Sequence, residues 1–140
     1  MKTIISCIFL MLIINFQAIA AQAYQPNSGD PELDDALLLI HKNINKKNKN
    51  KLSRFINQVA SDFQVPPQKV EELFNHYEFN APDVLMSVAI ADISGEPLKN
   101  IAGVYFRNKK NGWKYALNKL NISKGSAFYK QIKKDIKAAN

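Results

Sequence analysis

Beyond residue 30, apolar side chains recur every three or four positions along most of the chain, which is the spacing of one face of an α-helix. Leu33 and Leu37 mark such a face near its start, and Ile132 and Ile136 mark one near its end. The alternation of apolar and polar residues that is typical of a strand is not sustained anywhere. The pattern therefore predicts about six to seven short amphipathic helices.

Residues that begin and end helices divide this pattern into segments. Asp30 before Pro31 is typical of a capped helix start, and Pro67 and Ser126 can open later helices. Gly95 can end the fourth and most apolar helix, because glycine adopts the left-handed conformation at little cost. A helix that is apolar on most sides is expected to be buried, so the fourth helix is predicted to lie at the centre.

Short amphipathic helices cannot bury their apolar faces alone and must pack against one another. We therefore predict an all-α fold, a single small orthogonal bundle over residues 30–140. The segment from Trp113 to Lys134 is similar to a helix-turn-helix, so the bundle should contain a helix-turn-helix-like corner near the carboxyl terminus.

Residues 1–23 read as a secretory signal peptide. Lys2 supplies the positive start, residues 4–14 are almost wholly apolar, and small residues at cleavage spacing end at Ala20 and at Ala23. Cleavage after Ala23 is favoured and cleavage after Ala20 is the alternative. The apolar run is short for a membrane anchor, which needs about 20 residues. Export is thus predicted, to the periplasm or the medium of a bacterium.

Composition and charge narrow the remaining possibilities. The 140 residues include one cysteine, Cys7 in the predicted signal, so neither a disulfide framework nor a multi-cysteine zinc site is expected. Residues 24–29 are polar and are predicted to form a flexible leader. The net charge is +7, but residues 99–137 alone carry eleven bases and one acid. The basicity is therefore concentrated at one end of the chain.

Candidates for catalysis are weak. Glu72 and His76 have the spacing of two metal ligands on a helix, yet no second histidine joins them there. Acids such as Glu78 and Asp83 could form a carboxylate pair, but helix solubility accounts for them equally well. No nucleophile with a recognisable base occurs. We therefore predict no enzyme, no metal and no cofactor.

The basic last third provides the candidate contacts with an anionic surface or a partner. Trp113 follows a glycine at a helix start and would be either a stacking platform or, as favoured here, a core anchor between helices. The predicted contact set consists of Arg107, Lys109, Lys110, Trp113, Lys114, Lys130, Lys133, Lys134 and Lys137.

One sequence pattern supports a family resemblance. Residues 93–98 read I-S-G-E-P-L, Gly112-Trp113 follows after a predicted helix, and residues 120–126 read L-N-I-S-K-G-S. These segments resemble the last third of uncharacterised small exported bacterial all-helical proteins, which reads ISGxPL and then GWGxIAKxLGIxxGS. Lys114 and Asn121 stand where that pattern has glycine. The resemblance implies an exported helical domain and supplies no catalytic residue.

The function that these observations favour is a non-enzymatic binding module for a protein partner or an anionic surface. The alternative is a secreted nucleic-acid-binding or effector-like protein that uses the basic carboxyl-terminal third. Sequence-specific reading of DNA is disfavoured, because phosphate contacts by lysine carry no sequence information.

Overall fold

A computed structural model of the chain describes residues 23–140, which form α-helices joined by short loops without a strand. The seven helices of this part are α1 (Pro31–Asn43), α2 (Lys49–Asp62), α3 (Pro67–Asn75), α4 (Ala81–Ser94), α5 (Leu98–Arg107), α6 (Gly112–Lys119) and α7 (Ala127–Ala138), with a 3₁₀ turn at Lys109–Asn111. The predicted all-α bundle is confirmed. The signal-peptide prediction, by contrast, falls on residues outside the described ones, apart from Ala23.

Helices α1 and α7 each begin directly after a polar residue whose side chain caps the helix. The side chain of Asp30 accepts hydrogen bonds from the backbone N–H groups of Glu32 and Leu33, and that of Ser126 accepts one from Tyr129. Caps of this kind stabilise a helix by about 1 kcal/mol each. The first and last helices are therefore fixed in register by single residues outside them.

Helix α4 is the centre of the bundle, as its composition predicts. Every residue from 81 to 90 is buried, and the helix packs against α1, α3, α5 and α7. No helix within residues 23–140 is both long and apolar enough to cross a membrane. The packing of α1, α3, α5 and α7 against α4 accounts for the burial of its residues.

The carboxyl-terminal corner consists of α6, a turn over residues 120–126, and α7. Helix α6 packs against α5, whereas α7 packs chiefly against α4 and α1. The second helix of the corner is consequently a structural part of the bundle rather than a projecting element.

The leader differs from the flexible segment that the sequence predicts. The backbone N–H of Trp113 donates to the carbonyl of Pro26 at 2.9 Å, and that of Lys114 donates to the carbonyl of Asn27 at 2.8 Å. Helix α6 has no side-chain cap, and the first N–H groups of a helix need acceptors. The leader carbonyls provide them, which holds this polar segment against the bundle.

Gly112 makes this contact possible. Its backbone has φ 73° and ψ −173°, a region that is open almost only to glycine. A Cβ atom on Gly112 would lie 2.5 Å from the Cβ of Asn27 and 2.8 Å from the carbonyl oxygen of Pro26. The glycine is therefore required both for its conformation and for the close approach of the leader.

We expect Gly112→Ala to destabilise the fold more than Gly95→Ala. Both glycines have positive φ, but a Cβ on Gly95 would meet nothing within 4 Å, whereas one on Gly112 would collide with the leader. Gly95→Ala should cost about 1–2 kcal/mol from conformation alone, and Gly112→Ala clearly more. Urea unfolding followed by circular dichroism measures both values, and equal losses would contradict the role given to the leader.

Candidate binding groove

Trp113 lies in the core and not on the surface. Its side chain is 0% exposed and stacks on Tyr105 of α5, with ring centroids 3.9 Å apart and an interplanar angle of 2°. Burial of two large aromatic rings against each other stabilises the α5–α6 pair through the apolar area that it removes from water. Of the two roles considered for Trp113, the buried position matches the core anchor and leaves no ring face for a ligand.

The polar end of Trp113 meets a buried carboxyl group on α4. Oδ1 of Asp83 accepts hydrogen bonds from Nε1 of Trp113 at 2.9 Å and from the hydroxyl of Tyr24 at 2.8 Å. Oδ2 has no hydrogen-bond partner among the described residues, and the Asp83 residue is 0% exposed. Three separate segments therefore converge on one carboxyl group.

Burial raises the pKa of Asp83, because the charged form loses its hydration, while the hydrogen bonds from Trp113 and Tyr24 partly oppose this effect. Burial and the neighbouring Asp83 also raise the pKa of Tyr24, and the same two causes raise that of Tyr105. Both phenols therefore stay protonated. Interpreting Asp83 as a solubilising helix residue is wrong for this position.

A second buried carboxyl group, on Asp30, joins α1 to α7. Its Oδ2 accepts from the Tyr129 hydroxyl at 3.1 Å and from Nζ of Lys133 at 3.0 Å, while Oδ1 caps α1. Burial alone would raise the pKa of Asp30, but the hydrogen bonds from Lys133 and Tyr129 hold it below its usual value. Lys133 and Lys137 also form ion pairs with Glu32.

These ion pairs divide the predicted contact set. Lys133 and Lys137 are engaged by acids of α1, so much of their charge is compensated within the fold. The other basic members are exposed, and none of them forms a salt bridge to another residue of the 23–140 segment. These uncompensated residues are Arg107, Lys109, Lys110, Lys114, Lys130 and Lys134.

An open groove of about 770 Å³ lies beside the corner, between the leader and the α6–turn–α7 segment. We call it the corner groove. Its volume is in the usual range of ligand pockets, about 300–1,000 Å³. The lining residues are Ser28, Gly29, Asn111, Lys114, Tyr115, Leu117, Asn118, Asn121, Ile122, Ser123, Lys124 and Tyr129.

The charged side chains of the corner groove are both cationic. Lys114 and Lys124 line it, and no acidic residue does. Nζ of Lys124 donates to the carbonyl of Gly29 at 3.1 Å, which ties the turn to the leader. A cavity with positive charge and no internal acid attracts anions.

Sequence reasoning found only part of this groove. The predicted contact set includes Lys114 but neither Asn121 nor Lys124, and the leader is predicted to be flexible. The groove depends on the leader lying against α6, and nothing in the local sequence signals that contact. The sequence indicates the groove only through the polar residues Asn111 and Lys114, which flank Gly112 and Trp113.

Metal binding receives no support from the described geometry. Glu72 forms its ion pair with Lys69, with Nζ and Oε2 3.4 Å apart. Within residues 23–140 there is no group of three or more His, Cys, Asp or Glu side chains placed to hold a metal ion.

No protein-family model, curated protein or solved structure gives a significant match to this chain. The function is accordingly inferred from the groove and its charges.

We expect opposite pH dependence for Asp83→Asn and Asp30→Asn. The unfolded carboxyl group titrates near pH ~3.9, and the folded Asp83 titrates above that value. The folded state then binds more protons in this window, so Asp83 lowers stability as the pH rises through it. The stability of Asp83→Asn relative to the wild type should therefore increase from about pH 4 upward.

Asp30 has the reverse sign, because its folded pKa is lowered. Its contribution is present above the unfolded pKa and is lost as the pH falls through the folded value. The deficit of Asp30→Asn should thus shrink toward low pH. Urea unfolding monitored by the fluorescence of Trp113, the single tryptophan, gives both curves. Parallel pH profiles for the two variants would refute the assignment.

Proposed function

We propose that this protein is an exported, non-enzymatic binding module that holds an anionic partner at the corner groove. The observation that carries the proposal is the charge of the groove lining, which contains Lys114 and Lys124 and no acidic residue. The basic side chains next to it in the sequence, such as Lys110 and Lys130, also lack a salt bridge within the described chain. Export is the part of this proposal that rests on the amino-terminal sequence.

The basic residues of the carboxyl-terminal third therefore fall into two groups with different roles. Lys133 and Lys137 form ion pairs with Asp30 and Glu32 at the start of α1, while the lysines around the corner form no salt bridge within the described residues. Because ion pairs at a surface are screened by salt, association through these lysines should be strongest at low ionic strength.

The groups that could react are buried or already hydrogen-bonded to other residues, and this favours binding over catalysis. The carboxyl of Asp83 is enclosed behind Trp113 and Tyr24, and the Tyr129 hydroxyl of the corner groove is committed to Asp30. Catalysis would need a nucleophile and a base in reach of one another at an accessible position. The corner groove offers cations, amides and apolar surface instead, which suits recognition.

The nucleic-acid alternative is less well supported. In a helix-turn-helix the second helix must enter the major groove. Here Tyr129 and Lys133 of α7 are bound by Asp30, and Lys137 is bound by Glu32. Three of the α7 residues that could face a DNA groove are thus held by Asp30 and Glu32, while Lys130 and Lys134 stay exposed.

We expect Lys114→Gln/Lys124→Gln to weaken adhesion to phosphatidylglycerol vesicles at low salt. Each lysine near an anionic surface contributes about 1 kcal/mol, so the double variant should bind roughly thirtyfold more weakly. Vesicle co-sedimentation measures the effect, with phosphatidylcholine vesicles as the uncharged reference.

The matched control is Lys47→Gln/Lys51→Gln, which removes the same charge from exposed positions that do not line the groove. It should retain most of the binding. Equal losses in the two double variants would show that net charge alone governs adhesion. Absence of binding by the wild type at low salt would contradict the anionic partner and leave a protein partner as the remaining hypothesis.

A further inference from the structure

The corner groove contains a group of amides that the fold leaves unused. Asn111, Asn118 and Asn121 all line it and are exposed, and their side chains make no hydrogen bond to any residue of the described segment. Each amide has two N–H donors and a carbonyl acceptor. Three such groups around one cavity suit a ligand whose own groups both donate and accept.

The hydroxyl groups of a sugar have this property, because each one donates a single hydrogen bond and accepts others. A purely anionic ligand, such as a polycarboxylate without hydroxyls, would satisfy the lysines but would leave the amide N–H and carbonyl groups mostly to water. The combination of amides with Lys114 and Lys124 therefore distinguishes between classes of anion.

The remaining lining fits the same class of ligand. Leu117 and Ile122 line the groove but are largely buried, so the accessible part of its non-polar lining is mainly Tyr115, which is partly exposed. A sugar ring has apolar C–H faces as well as polar edges, and apolar or aromatic surface can pack against those faces. Pockets that bind small molecules likewise combine mainly apolar walls with a few placed polar groups.

The leader wall of the groove is held by partly buried hydrogen bonds. Ser28 and Gly29 belong to this wall. The backbone N–H of Ser28 donates to Oδ1 of Asp34 at 2.8 Å, and the Tyr24 hydroxyl donates to Asp83 at 2.8 Å. A wall fixed in advance lowers the entropy that a ligand must give up on binding.

We propose that the corner groove binds an acidic saccharide, a sugar chain carrying a carboxylate or a phosphate, with the lysines on the anion and the asparagine amides on the hydroxyls. This inference rests on the proposed binding function and specifies its ligand. Both acid groups offer the same chemistry to Lys114 and Lys124, so the two sources are separated by experiment.

Isothermal titration of the protein with four probes tests the ligand class. Trigalacturonate carries carboxylates and hydroxyls, and glucose 6-phosphate carries a phosphate and hydroxyls. The methyl ester of trigalacturonate keeps hydroxyls without charge, and tricarballylate keeps charge without hydroxyls. At least one acidic sugar should bind roughly tenfold or more tightly than both references, and which one does so identifies the acid.

The variant Asn111→Ala/Asn118→Ala tests the amides directly. It should weaken binding of the preferred acidic sugar roughly fivefold to tenfold or more, because hydrogen bonds to the hydroxyls are lost, and leave tricarballylate unchanged. Asn50→Ala/Asn57→Ala, at exposed positions on α2 that do not line the groove, is the matched control and should bind as the wild type does. Unchanged Trp113 fluorescence would show that each variant is folded.

Two results would overturn the saccharide proposal while leaving the anionic-partner proposal intact. The first is binding of tricarballylate as tight as that of both acidic sugars, and the second is an equal effect of the asparagine variant on sugar and tricarballylate. Likewise, if none of the four probes binds while vesicle adhesion persists, the saccharide proposal alone is overturned. If neither the probes nor the anionic vesicles bind, both proposals are overturned.

Discussion

The carboxyl group of Asp83 is the polar contact on which the arrangement of the leader, α4 and α6 depends. Removing a carboxyl group from water costs free energy unless hydrogen bonds replace the lost hydration. Trp113 and Tyr24 supply two of these bonds to Oδ1, while Oδ2 remains without a partner among the described residues. The raised pKa of Asp83 is the physical consequence of this incomplete compensation. In return for this desolvation cost, the carboxyl group of Asp83 fixes the Trp113 indole and the Tyr24 phenol against α4.

Asp30, at the start of α1, also links distant segments, with a different electrostatic balance. It caps α1 and accepts hydrogen bonds from Tyr129 and Lys133 of α7, so its charged form is favoured. The two buried acids thus connect distant parts of the chain with opposite effects on pKa. Asp30 and Glu32 together engage Lys133 and Lys137, whereas Lys114 and Lys130 form no salt bridge within the described residues.

The corner groove is a product of both contacts. Asp83 and the first N–H groups of α6 hold the leader, and the leader forms one wall of the groove. Asp30 holds Tyr129, which belongs to the lining, while Lys114 and Lys124 stay accessible. The shape of the corner groove therefore depends on the contacts of Asp83 and Asp30, whereas its positive charge comes from the exposed side chains of Lys114 and Lys124. Recognition by preformed shape and exposed cations is the basis of the binding function proposed for this protein.

The sequence by itself determined the helices and much of their order of burial. Apolar spacing, the caps at Asp30 and Ser126 and the stop at Gly95 act locally, so they can be recognised without the fold. The tertiary structure decided the rest: the burial of Asp83, the ion pairs of Lys133 and the ordered leader. Each of these joins residues dozens of positions apart, and whether a charge is buried or paired depends on neighbours that local patterns do not specify. The groove followed the same rule, because its lysines and amides become one site only when the leader closes against α6.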